Sequence, residues 1–427
     1  MPFSIFNVKM KRRNKTRDSL WTRDFTIITV GSVISMFGNS LSGFAMSLLV
    51  LDYTDSSMLY ALYIVMFTLP QVIMPIVSGP LLDRFSRKKT IYILDFISAG
   101  MYLAVGALLS RGWFSFPLFA VYIFIVGSIQ SIYYVAFDSF YPLLITEGNF
   151  QRAYSIASVL ETLSNVMVPV SAIIYRTLGI APLLMINALC FFGAAVMETR
   201  IKAQEEYIET QKSHVTGATA ASRWFGDLKE GLYYLWSEKG LLAIAVYFTF
   251  SAISNGAASV LTLPYFRHTF DNGEFTYMIV WGMAVAGRAI GGMIHYKFRI
   301  PAQYRYAIAL SVYIILSVSE GVYLYFPIIV MQICCFMSGF LGVTSYTIRI
   351  SATQRYVPDE KKGRFNGAFV MLNQVGMLLA EVLAGALGGV FDPRHVITGF
   401  MLVNGLAAVV FIGGGKKEIS SIYNVSE

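Results

Sequence analysis

Residues 57–80 read SMLYALYIVMFTLPQVIMPIVSGP, a run without one charged side chain. A bilayer core of roughly 30 Å is crossed by about 20 apolar residues in a helix. Backbone polar groups in lipid must be satisfied inside the segment, so the run is read as a spanning helix. Eleven runs of the same character lie on either side of it. The expected spans fall near 25–50, 57–80, 90–110, 115–139, 154–175 and 179–198, then 240–262, 276–296, 305–325, 327–349, 365–389 and 396–414. The fold class that follows is all-α and polytopic, with twelve transmembrane helices.

Composition agrees. Only 14% of residues are charged, 56% are apolar and the mean hydropathy is +0.59, where a soluble chain carries about 25% charged residues. The net charge of +8 does not point to nucleic acid, because the basic residues sit in short loops and tails, as expected of anchors beside anionic lipid. Of the 33 Lys and Arg residues, only Arg111, Arg176, Arg267 and Arg394 fall in one set of alternate loops, and Arg288 lies within the eighth span. Every other one lies on the opposite side with both termini. That split predicts a multi-pass protein of the cytoplasmic membrane, both termini cytoplasmic. Trp113 and Trp281 then lie near the outer interface, Trp21 and Trp236 near the inner one.

Residues 1–24 form a basic cytoplasmic tail without a cleavable signal pattern. Residues 25–198 form a first six-helix bundle, 199–239 a cytoplasmic linker, 240–414 a second bundle and 415–427 a further tail. Within the linker, Trp224, Leu228, Leu232 and Leu235 share one face of an amphipathic helix ending at Trp236. A shift of 212 residues places Gly79 on Gly291, Arg87 on Arg299, Glu147 on Asp359 and Arg152 on Arg364. One offset that aligns two separate loops without gaps predicts two parallel repeats, an arrangement that puts a substrate site between halves near the midplane.

The loop after the second span runs Gly79-Pro80-Leu81-Leu82-Asp83-Arg84-Phe85-Ser86-Arg87-Lys88-Lys89. This resembles the G-x-x-x-D-R-x-x-R-K signature of the major facilitator superfamily, in the place where that family carries it. The stretch Val357-Pro358-Asp359-Glu360-Lys361-Lys362-Gly363-Arg364 resembles the P-D-E-x-x-G-R segment of macrolide-efflux-type permeases. Physically, Gly79 permits close helix approach, and Asp83 can face the N-terminus of the eleventh span near Arg364, where the helix dipole favours an anion. Arg84 or Arg87 can pair with Asp138. With Lys88, these residues form the expected gating motif. The second half carries His295 in place of Asp83, so its latch should be weaker. The fifth span lacks the glycine-rich motif of drug–proton antiporters and offers Glu161, Asn165 and Pro169 instead, which leaves direction and proton coupling open.

Ionisable residues inside a span cost several kcal/mol and are functional candidates by default. Glu161 lies about 13 Å into the fifth span at 1.5 Å per residue, with Asn165 one turn on. Arg288 sits among Gly287, Gly291 and Gly292 and needs an anionic partner, since Arg does not shed its proton; Glu161 is the first candidate. Glu381 lies deep in the eleventh span. Glu161, Arg288 and Glu381 are the expected proton-coupling set, the alternative being fixed interhelical bonds. The resemblance implies that spans one, four, seven and ten line the cavity. Substrate contacts are then expected from Asn39, Gln130, Tyr133, Tyr134, Asn165, Ser251, Asn255, Gln332 and Tyr346, with Phe44, Met46 and Met331 adding apolar surface. It further implies that Glu320 and Asp95, on supporting helices, are structural.

No HExxH, GxSxG, nucleotide-binding loop or Cys-His array appears, and Cys190, Cys334 and Cys335 lack metal-ligand spacing. No enzyme, cofactor or metal centre is expected. The expected protein is a monomeric secondary transporter in lipid. It works by alternating access and exports a small amphipathic molecule coupled to protons or another ion. An importer or facilitator on the same fold, or a non-transporting receptor or assembly subunit, are the alternatives.

Overall fold

Short polar joints set where the helices begin. The Thr22 hydroxyl accepts from the amide of Phe25 at 3.2 Å, and that of Ser86 from the amide of Lys89 at 3.1 Å. Asp392 accepts from the amide of Arg394 at 2.9 Å, with Pro393 at the first helical position. Each satisfies a donor that the first turn leaves unpaired. The helices that follow are α1 Arg23–Thr54, α2 Ser57–Leu82, α3 Arg87–Ser110, α4 Phe116–Phe140, α5 Met167–Leu178 and α6 Ile180–Glu198. The second set is α7 Lys239–Thr269, α8 Gly273–Lys297, α9 Arg305–Val322, α10 Ile328–Tyr356, α11 Asp359–Gly388 and α12 Pro393–Ala407, with a final amphipathic α13 Lys416–Tyr423. This computed structural model describes residues 19–82, 85–146, 153, 156, 167–203, 205, 226, 229–297 and 300–424.

Among the described residues there is no strand, and eleven helices are long and apolar enough to cross a membrane. They match the expected spans except the fifth, most of whose first half lies outside the described residues. Turns are short. Asp55, in the left-handed region at φ 45°, ends α1, and Gly179 at φ 81° joins α5 to α6 through a single residue.

The packing repeats with a shift of six helices. In the first half α6 lies against α1 and α3, α2 against α4, and α5 against α1. In the second half α12 lies against α7 and α9, α8 against α10, and α11 against α7. The chain is thus built as two parallel six-helix repeats. Helices in lipid gain no hydrophobic drive from associating, so small residues bring their backbones close. A Cβ added to Gly127 of α4 would stand 2.6 Å from the Phe67 carbonyl oxygen of α2, and one on Gly339 of α10 2.0 Å from the Ala284 carbonyl of α8. The 212-residue shift lays Gly127 on Gly339, so the repeat seen in the loops extends to the tightest helix contacts.

Between the halves, α2 packs on α11 and α7, and α5 on α8. At the end remote from the termini, Leu263 and Met278 of the second half join the buried cluster of the first half. At the terminal end, α13 is tied down by the buried Tyr313–Tyr423 hydroxyl pair at 3.0 Å and by Asn424, which accepts from the Tyr306 amide at 2.9 Å. The linker helix is present over 229–237, with Leu235 buried and Trp236 exposed.

Candidate functional site

Charged side chains from both halves meet at the end remote from the termini. Arg267, in the last turn of α7, bonds Asp52 at the end of α1, reaches the Leu48 carbonyl at 3.4 Å and lies 3.9 Å from Glu274 of α8. Arg176 of α5 bonds Glu274 and donates to Asn272 at 3.4 Å, and the Tyr175 hydroxyl donates to Asp52. The backbone supports these choices: a cation suits the C-terminal turn of α7 and an anion the first turn of α8. Beneath them, Phe44 of α1 stacks on Tyr277 of α8 at 6.3 Å. The two halves are clasped at this end by ions outside and aromatic rings inside.

Deeper in the protein, each half holds a cavity. The first, about 70 Å³, is walled by α1, α3, α4 and α6 and includes Asn39, Gln130, Tyr133 and Tyr134, four of the expected substrate contacts, together with Asp95. The Gln130 amide donates to the Tyr134 hydroxyl at 3.4 Å, the i,i+4 pairing that puts both on one helix face. The second, about 420 Å³, is walled by α7 to α12 and brings Asn255, Trp281, Arg288, Glu320 and Tyr323 together. Arg288 therefore has a carboxylate of its own half, Glu320, in the same cavity; the sequence pointed first to Glu161, which lies outside the described residues, as does Asn165. Ser251 accepts from the Asn255 side chain at 2.8 Å through its carbonyl. Neither Gln332 nor Tyr346 lines these two cavities; the ring of Tyr346 instead lies 5.5 Å from the Arg349 guanidinium.

Glu381 of α11 is fully buried at 0% exposure, beside Thr68 of α2 and one turn below the contact where Gly385 meets Ala61. Neither carboxyl oxygen has a hydrogen-bond partner among the described residues. It occupies the contact between the halves.

The motif loop is only partly described. Gly79 lies in α2, Asp83 and Arg84 fall outside the described residues, and Arg364 lies in α11 with its side chain outside them. Arg87 donates to the Ser139 carbonyl at 3.0 Å, next to the exposed Asp138. The amide of Lys88 donates to Glu205 at 3.3 Å and its ammonium to the Ile201 carbonyl at 3.3 Å, which ties the start of the linker to α3.

Sequence reasoning missed the clasp and the meeting of Arg288 and Glu320 in one cavity. A signal for the clasp was present: Arg176 and Arg267 are two of the four basic residues on the sparsely charged side, and Asp52 and Glu274 stand at neighbouring span ends. No such signal pairs Arg288 with Glu320, whose proximity comes from how α8 and α9 both pack on α10.

A family model described as the Major Facilitator Superfamily matches residues 28–381. The MFS-type transporter YkuC of Bacillus subtilis is 23% identical over 66% of this chain and 67% of its own length. The MFS-type transporter YvqJ of the same organism is 20% identical over 96% of this chain and 97% of its own. Among solved structures, the nucleoside transporter NupG is similar with a TM-score of 0.64 at 11% identity, covering 93% of this chain and 99% of that one. A D-xylose-proton symporter is similar with a TM-score of 0.65 at 14% identity, covering 96% and 100%.

Proposed function

The chain belongs to the Major Facilitator Superfamily and is a secondary transporter of small molecules, not an enzyme; from that premise we propose that it exports a small amphipathic organic solute in exchange for protons, by alternating access. The observation that carries this reading is the pairing of an ion clasp at one end with two aromatic cavities deeper in, each holding a few polar groups. Apolar and aromatic walls with a small number of polar contacts suit a solute that is itself amphipathic. Asn39, Gln130, Tyr133 and Tyr134 contact the solute from the first half and Asn255, with Ser251 one turn away, from the second, Asn165 and Glu161 completing the wall from the fifth span; Gln332 and Tyr346 stand outside the two cavities.

In this scheme both termini are cytoplasmic and the Asp52–Arg267–Glu274–Arg176 clasp closes the outer face. The opposite state is latched at the inner face by Gly79, Asp83, Arg84, Arg87 and Lys88 with Asp138 and Arg364. Glu161 and Glu381 carry protons, and Arg288, with Glu320 beside it, biases their release electrostatically. The domain division is 1–24, 25–198, 199–239, 240–414 and 415–427, the two bundles rocking against each other as a monomer in the cytoplasmic membrane. The rival reading, an importer or facilitator, is favoured by the absence of the antiporter glycines from the fifth span. Flux from proteoliposomes under imposed pH gradients separates the two: an exchanger moves solute against its own gradient when the proton gradient is reversed, whereas a facilitator only equilibrates it. Equilibration alone would overturn the proposal of proton-coupled export.

A further inference from the structure

The first half contains a second pair of acidic groups, apart from the motif loop and from the α7–α8 residues. Asp95 of α3 is 1% exposed and Glu198, the last residue of α6, is 0% exposed. Helix α1 holds both in place. The Oε1 of Glu198 would lie 3.0 Å from a Cβ on Gly31, and one turn further along α1 the Ser35 hydroxyl donates to Oδ2 of Asp95 at 3.4 Å. The packing of α3 and α1 on α6 brings the two carboxyl groups together, and neither oxygen of Glu198 has a hydrogen-bond donor among the described residues. A hydrogen bond between two carboxyl groups exists only with a proton between them, because two carboxylates offer acceptors alone.

The surroundings match that requirement. From α4 the pair is faced by Tyr133 and from α1 by Ser32 and Ser35; among the described residues the buried Tyr133 hydroxyl has no hydrogen-bond partner and no Lys, Arg or His faces the pair. Nothing among them balances two negative charges, so the doubly ionised pair is strongly disfavoured and binds a proton readily. A divalent cation would need about six oxygen ligands, and no group of three or more acidic, His or Cys side chains exists among the described residues. Asp95, Ser32, Ser35 and Tyr133 line the first-half cavity, whereas Glu198 does not.

We propose that Asp95 and Glu198 together form a binding site for one proton, loaded from the first-half cavity through Asp95 and shared with Glu198. Water in the cavity delivers the proton to the pair of carboxylates, which becomes one hydrogen-bonded carboxylic acid–carboxylate unit of single negative charge. The site does not depend on the direction of transport, so its test is separate from the flux assays. Full-length protein in detergent is titrated by infrared difference spectroscopy, with the carboxyl C=O stretch as the readout. Wild type is compared with Asp95→Asn, Glu198→Gln and the double variant, each shown to be monodisperse. The expected result is a titrating carboxyl band in wild type, displaced in each single variant and lost in the double. A double variant that keeps the full band overturns the proposal, as does a wild-type band abolished by sodium or calcium at constant ionic strength, which would mark a metal-ion site. Should the variants fail to fold, Ser35→Ala keeps both carboxyl groups and must move the midpoint of the wild-type band; an unmoved midpoint refutes the pair as the source.

Discussion

Replacing Arg267 by Gln removes the centre of the ion clasp while leaving a side chain of similar reach. The guanidinium loses its bond to Asp52, its approach to Glu274 at 3.9 Å and its contact with the Leu48 carbonyl at 3.4 Å. Arg267 is 22% exposed and Asp52 36%, so water screens both, and each ion pair is worth about 0.5–1 kcal/mol. Together they favour the clasped state by about 1–2 kcal/mol, which is roughly a 5–30-fold change in the ratio of clasped to open molecules. Spin labels at Trp113→Cys and Phe275→Cys, both exposed and on opposite halves, report that ratio by pulsed electron resonance. In Arg267→Gln the long-distance population should grow by that factor. Because the groups are partly exposed, about 1 M salt, with a Debye length near 3 Å, should shift wild type the same way. A double-variant cycle with Asp52→Asn should show coupling of about 0.5 kcal/mol or more. An unchanged distance distribution in Arg267→Gln, together with zero coupling, would show that the rings and small residues alone hold this end shut.

Gly339→Ala forces a methyl group onto the Ala284 carbonyl, 2.0 Å from an ideal Cβ; thermal unfolding in detergent should register a loss of about 1–3 kcal/mol, and an unaffected melting point would mean that α8 and α10 slide apart freely. Glu381→Gln keeps the shape of a side chain buried between α2 and α11 but cannot ionise, so export should lose its dependence on the proton gradient while substrate-induced thermal stabilisation stays within about threefold of wild type; retained gradient-driven flux would clear Glu381 of the role. Asp392 caps α12 outside the spans, and the hydrogen bond from the Arg394 side chain holds its carboxyl below the ordinary carboxylate range. Its contribution is therefore complete above the unfolded value of about 3.9 and is lost as pH falls through the lower folded value. At neutral pH Asp392→Ala should cost about 0.5–2 kcal/mol, a difference from wild type that narrows in acid; a gap that persists there would argue against the cap. Asp83→Asn should slow turnover in proteoliposomes with insertion intact, and wild-type turnover would remove the latch from the scheme.

The spans were legible because lipid leaves a long apolar segment few alternatives: each run had to close its own backbone hydrogen bonds, and α1 to α4 and α6 to α12 lie where their apolar stretches do. The duplication was legible too, since Gly79 with Gly291 and Arg87 with Arg299 share one offset, and the structure extends it to Gly127 and Gly339. Five of the nine expected substrate contacts gather in the two cavities, because i,i+4 pairs such as Gln130 and Tyr134 necessarily share a face once the helix exists. Arg288 was recognisable as a charge in need of a partner, but not which partner.

What sequence alone determined is the number and course of the helices, their parallel repeat and the identity of the costly side chains, all consequences of local chemistry and a lipid solvent. What only tertiary structure decided is which of those side chains come together: Asp52 bonds Arg267, Arg288 and Glu320 share one cavity, and α1 buries Asp95 and Glu198 one turn apart. Each pair joins different helices, and the rotation of a helix about its axis is set by how neighbouring small residues let backbones approach. Hydropathy says nothing of that rotation, so the electrostatic partners emerge only when the helices are packed.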